Sequence, residues 1–253
     1  MYNILGREVI MKILSIGFII VCVFIDFIQA NIHRIPSDYS SIQAGVNAAV
    51  EGDTVLIAPG VYFENIDLRG KSIVVGSLFL LEDDISYIAA TIIDGAQKGS
   101  VVSVTSGEDS TTRFIGITVR NGSGTLRNYS GVKPFLYGGG IFCENASPML
   151  EHLIVTDNHS AGGGGIFLKN STALLRNLDI QDNTALSPVW EAPNVGGGVL
   201  LWDSSPEIYE VNVSNNQCEN GGGGFYLFNS SPVLRNLSVT DNSSLQWGGG
   251  VFL

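Results

Sequence analysis

Three ionisable side chains, Arg120, Asp157 and Asp182, each stand just before an Asn in like segments of the sequence: TVRN, VTDN and IQDN. Carboxylates stacked one repeat apart repel unless something compensates them. The succession therefore reads as a calcium site held by Asp157 and Asp182 or as an acid/base pair of the two, with Arg120 as a compensating charge. The plainer alternative is that Asp-Asn pairs brace turns, because Asx side chains bond nearby backbone. A second group is aromatic. Phe142, Phe167 and Tyr226 recur at one repeat position, and Trp202 stands in the neighbouring column. Rings exposed in register suit the apolar faces of sugars or a protein partner, whereas covered rings are only a second core. Tyr137 precedes a glycine run, and Trp190 and Glu191 lie in a loop that could overhang the Asp column, completing the candidate binding set.

These residues owe their positions to a repeat. Residues 138–253 carry GGGIFCENASPMLEHLIVTDN, GGGGIFLKNSTALLRNLDIQDN, GGGVLLWDSSPEIYEVNVSNN, GGGGFYLFNSSPVLRNLSVTDN and a last GGGVFL. The closing glycines are Gly140, Gly165, Gly198, Gly224 and Gly250, so the steps are 25, 33, 26 and 26 residues. A period in this range signals a solenoid. Apolar columns such as Ile141, Ile166, Val199 and Phe225, or Leu150, Leu175, Ile208 and Leu234, alternate with polar positions at strand spacing and show no helical stripe. Asn-rich corners separate the strands. Short strands in coils of about 25 residues predict an all-β solenoid, a parallel β-helix whose coils stack about 4.8 Å apart.

The GGGI…N.SP pattern resembles the right-handed parallel β-helix, or pectin-lyase-like, superfamily over residues 35–253. That resemblance implies the handedness and, by analogy with pectate lyases, carboxylates that hold calcium against uronates and an Arg that acts as base. GVYFEN matches a G-x-Y-x-E motif found in pectin methylesterases, where it is structural. The tetrads Phe142 to Asn145 and Phe167 to Asn170 also resemble repeats of bacterial polymorphic outer-membrane proteins. Two functions follow. One is a secreted or cell-surface protein that binds or acts on an acidic extracellular polysaccharide, as a lyase or glycosidase if it is an enzyme. The other is a non-catalytic adhesin or stalk.

Composition narrows the partners. The net charge is −11, and beyond the first 30 residues 11 basic residues face 22 acidic ones. Such a surface repels nucleic acid and anionic lipid. Residues 11–30 read as a secretory signal peptide, with Lys12, an apolar run and Ala30 at the cut, preceded by a start extension at 1–10. Once it is cleaved no segment is expected to insert in a membrane. The β-helix domain is expected at 31–253, with a capping helix within 36–52 opened by a Ser40-x-x-Gln43 box and a last coil cut short at the C-terminus. Cys143 and Cys218 are expected to stay unpaired. Insertions at 122–137 and 186–195 follow the same corner and should project side by side, the flank where such scaffolds place binding surfaces. Oligomeric state and glycosylation of the many N-x-S/T sequences are left open.

Overall fold

Leu150 and Leu153 both face inward although they are three positions apart, because His152 between them has φ +51° and reverses the alternation within one strand. The same left-handed kink recurs at Asn177, Glu210 and Asn236. The strands Met149–Thr156, Leu174–Gln181, Glu207–Ser214 and Val233–Thr240 therefore bend together and stack in parallel register. Asn adopts this conformation at low cost. His152 is tied to it from the next coil, where Asn177 Nδ2 donates to His152 Nε2 at 3.0 Å.

The computed structural model of the protein describes residues 30–129, 131, 133–189 and 191–253. Residues 1–29, which hold all but Ala30 of the expected start extension and signal peptide, and Trp190 lie outside them. Residues 31–253 form one unit. Besides the long-strand sheet it has a seven-stranded sheet of short strands, among them Ile141–Glu144, Ile166–Lys169, Val199–Trp202 and Phe225–Phe228. A ladder of two-residue strands, from His159–Ser160 to Ser243–Ser244, closes each coil. Neighbouring strands around the coil are parallel and in the register that the repeat predicts: Ile141 with Ile166, Leu150 with Leu175, and Leu175 with Ile208. The chain is a parallel β-helix.

Its interior is a single apolar cluster from Ile35 to Leu227. Leu234 is 42% exposed because Val233–Thr240 is the outermost strand of its sheet. One wall of the interior is polar. Asn158, Asn183 and Asn216 are fully buried, and the side-chain oxygens of Asn183 and Asn216 each take the backbone N–H and side-chain amide of the Asn one coil before, as when Asn183 Oδ1 accepts from Asn158 at 3.1 and 3.0 Å. Asn183 Nδ2 in turn donates to Val155 O at 2.8 Å. The backbone N–H groups taken up by these side chains, of Gly122, Asn158 and Asn183, lie between strands, where no ladder pairs them. The glycine runs lie alongside, where a Cβ on Gly165 would come within 2.7 Å of the Gly198 carbonyl oxygen.

A helix Ile42–Ala48 covers the first coils, burying Ile42 and Val46. Its N-cap is Ser41, not Ser40: Ser41 Oγ accepts from Ala44 N at 3.2 Å. Glu64 of GVYFEN accepts from the N–H groups of Ile42 and Gln43 at 2.8 and 2.9 Å, and Tyr62 Oη donates to Ala58 O at 2.9 Å. That motif therefore fastens the lid. Two short helices, Phe79–Glu82 and Ser86–Ala90, interrupt the coils where strands alone were expected. Among the described residues, no helix is long and apolar enough to cross a membrane.

Candidate functional site

The two insertions rejoin the coils at one ladder, Tyr137, Gly162, Val195, Gly221 and Trp247. The first contains an antiparallel hairpin, Thr125–Arg127 with Phe135–Tyr137. Instead of flanking the Asp column, both fold onto the outer face of the short-strand sheet. Phe135 and Tyr137 from one, and Ala192 and Val195 from the other, bury Phe142, Phe167 and Leu200 in a second apolar cluster. Phe142 and Phe167 are fully buried, so of the two readings open for the aromatic column, its first rungs take the covered one.

Polar contacts fix the hairpin. Tyr129 Oη donates to Glu144 Oε1 at 2.8 Å, and Arg127 Nε to Glu144 Oε2 at 3.1 Å. Arg127 also lies over the Phe142 ring, 4.8 Å from its centroid. Burial pushes the Tyr137 phenol up to about 12; burial and then the bond to Glu144 push Tyr129 up as well. Both stay protonated at neutral pH, and neither can serve as a base.

Beyond the hairpin the aromatic column is uncovered. A groove of about 410 Å³ opens there, walled by Tyr137, Pro193 and Val195 and floored by Leu200, Trp202, Tyr226 and Phe228. Trp247 forms its far side and is 57% exposed. The rings are ordered against one another: Trp202 meets Phe228 edge-on at 5.4 Å, and Tyr226 stacks on Phe252 at 5.2 Å with 14° between planes. Two amides complete the rim, Gln246 Nε2 donating to Asn220 Oδ1 at 2.9 Å. Asn220 Nδ2 is anchored on Pro193 O at 2.7 Å. A second pocket of about 480 Å³ shares Asn220 and Gln246 and carries Glu191 and Glu219.

Asp157 and Asp182 stack one coil apart and face solvent as expected, but Arg120 does not join them. Arg120 is in register with Thr156, and Asn121 with Asp157, one residue from the alignment on which the column depended. The matching N at the end of TVRN and VTDN misled the alignment, because the position of Asn158 is filled by Gly122, whose N–H donates to Asn158 Oδ1 at 2.9 Å. Arg120 Nε instead pairs with Asp94 Oδ2 at 2.9 Å. Several hydrogen bonds, from Ala96 N–H, Asn121 and Arg120, outweigh the burial that would raise the Asp94 carboxyl and hold it below its usual range. Asp157 and Asp182 are exposed left-handed corner residues at φ +55°, and among the described residues no third metal-ligating side chain gathers with them.

Of the predicted binding residues, the structure brings Tyr137, Phe142, Phe167 and Trp202 into one aromatic body. Tyr137 lies 5.0 Å from Phe167, and Phe142 5.3 Å from Phe167. Tyr226 lies in the open groove and Glu191 in the pocket beside it. Sequence reasoning missed Tyr129, which sits in an insertion without repeat register, and the amides Asn220 and Gln246, which look like ordinary turn residues ahead of the glycine runs.

No curated protein matches the sequence. Among solved structures, the chain is similar to a pectin methylesterase mutant in complex with a hexasaccharide, at 12% identity and a TM-score of 0.39, covering 73% of this chain and 65% of that one. A second pectin methylesterase in complex with a hexasaccharide gives 10% identity, a TM-score of 0.41 and the same coverage. Pectin methylesterase PemA from Erwinia chrysanthemi gives 9% and 0.40, with 85% and 81% covered. The chain thus spans about two-thirds of the length of the first two. The family model described as right handed beta helix region matches residues 91–253, and with parallel coils, stacked columns and interior Asn ladder all present over that span, the chain belongs to the right-handed β-helix family.

Proposed function

We propose that this protein is an exported glycan-binding β-helix whose ligand lies in the aromatic groove between the hairpin and Trp247. The observation that supports it is the open set of ordered rings, Trp202, Tyr226, Phe228 and Trp247, flanked by two amides that can both donate and accept. Sugar rings present apolar C–H faces to such platforms and hydroxyls to such amides. Among the described residues, the groove's lining holds no carboxylate, His or Lys to move a proton, so the reading is binding and not bond cleavage. Arg120, Asp157 and Asp182 have no part in it. The signal-like residues 11–30 support export to the cell exterior or surface, where glycans are met. The test is retention of the protein expressed from residue 31 on insoluble glycans of varied linkage. Retention that is lost in Trp202→Ala and Tyr226→Ala supports the groove. Retention on none of them, with binding instead to host-cell protein, favours the adhesin reading.

A further inference from the structure

The charge around the groove narrows its ligand, on the reading that the groove binds glycan at all. We infer that it selects neutral glycans and rejects uronate-bearing ones. Among the described lining residues none is charged; the polar side-chain groups are the amides of Asn220 and Gln246, the hydroxyls of Tyr137 and Tyr226 and the indole N–H groups of Trp202 and Trp247. A uronate carboxylate entering there would leave water without gaining a cation, a far larger cost than that of hydroxyls, which the amides can hydrogen-bond.

Lys169, the cation against the Trp202 ring, is already committed. Lys169 Nζ lies 4.4 Å from the centroid of the Trp202 ring, 5.1 Å from that of Tyr129 and 3.2 Å from Asp203 Oδ2, and its side chain is 14% exposed. It is held there by the two rings and a counter-charge. The adjoining pocket, reached across Asn220 and Gln246, adds Glu191 and Glu219. Glu219 Oε2 is fixed there by Asn194 Nδ2 at 2.6 Å. A net charge of −11 extends the same sign over the molecule. An acidic chain therefore meets repulsion on approach and no compensation on arrival. A neutral chain with equatorial hydroxyls, whose ring faces are bare C–H, meets neither.

The experiment is a titration, followed by tryptophan emission, with cellohexaose and with hexagalacturonate, in EDTA and again with calcium. Cellohexaose should bind at least about tenfold more tightly in both conditions, and the gap should narrow as salt screens the carboxylates. Glu219→Gln should narrow it at low salt by raising hexagalacturonate affinity. Hexagalacturonate binding as tightly as cellohexaose, with or without calcium, overturns the inference; if Trp202→Ala abolishes that binding, the groove reading itself survives. Binding of neither oligosaccharide, with none on a panel of other neutral linkages, overturns both.

Discussion

Lys169 Nζ lies 4.4 Å from the centroid of the Trp202 ring, with Asp203 Oδ2 3.2 Å from the same nitrogen. The cation joins one coil, through its own strand, to the floor of the groove in the next. Its position explains how an exposed platform stays ordered: Trp202 has a charge on one face, Tyr129 at 5.2 Å and Phe228 edge-on at 5.4 Å.

Removing that charge should loosen the platform. Lys169→Met is expected to cost about 1 kcal/mol, the size of a partly desolvated cation–π contact, and to lower glycan affinity several-fold, whereas Lys169→Arg should keep both close to wild type. Thermal unfolding and a titration with cellohexaose on the three proteins check this. Equal losses from Arg and Met would mean that packing, not charge, holds the ring.

The interior Asn ladder should be costly to break. Asn183→Ala leaves the Asn158 N–H, which lies between strands, without its partner and removes the side-chain bonds to Asn158 and to the Val155 carbonyl, at about 1–3 kcal/mol for each buried group left unpaired. Exposed Gln217→Ala should stay within about 0.5 kcal/mol. Denaturant midpoints of the two variants give the comparison.

How much of this was legible beforehand divides along physical lines. The inward columns were readable because each coil presents the same face to the same neighbours, so Leu150, Leu175 and Ile208 declare themselves by repetition. The kink at His152 was implicit in the three-residue gap between Leu150 and Leu153, but only φ shows it. The Arg-Asp-Asp site failed on one residue of register, where Gly122 replaces the ladder Asn and slides the alignment. The fate of the aromatics was unreadable for another reason. Phe142 and Tyr226 occupy the same column, and only the path of the hairpin decides that one is buried and the other open.

The core columns carry their own prediction. Leu175 is fully buried between Leu150 and Ile208, so Leu175→Ala should cost about 2–5 kcal/mol, and Leu175→Asp more, because an unpaired carboxylate would replace it. Comparable stability of the Asp variant, measured by urea unfolding, would contradict the inward column.

Acid should weaken the N-terminal end of the coil stack through Asp53. Burial raises the Asp53 carboxyl, but hydrogen bonds from His33 at 2.8 Å and from the Val50 and Asn31 N–H groups at 2.9 and 2.7 Å outweigh it and hold the pKa at about 2. The folded value lies below the unfolded one. The contribution, on the order of 1–2 kcal/mol, is therefore fully present above pH ~4 and is lost as pH falls through about 2. Asp53→Asn should be less stable than wild type at neutral pH, with the difference shrinking across that window; a constant difference in Tm from pH ~5 to pH ~2 would contradict it.

The central claim is that the rings beyond the hairpin are a glycan platform, and isothermal titration of cellohexaose into wild type, Trp202→Ala and Tyr226→Ala tests it most directly. The account predicts one saturable site in wild type and a loss of at least about tenfold in each variant, the size of an aromatic stacking contact removed, with the Tm of each variant still showing a folded coil stack. Wild-type affinity retained in both variants would place the ligand elsewhere and contradict the account.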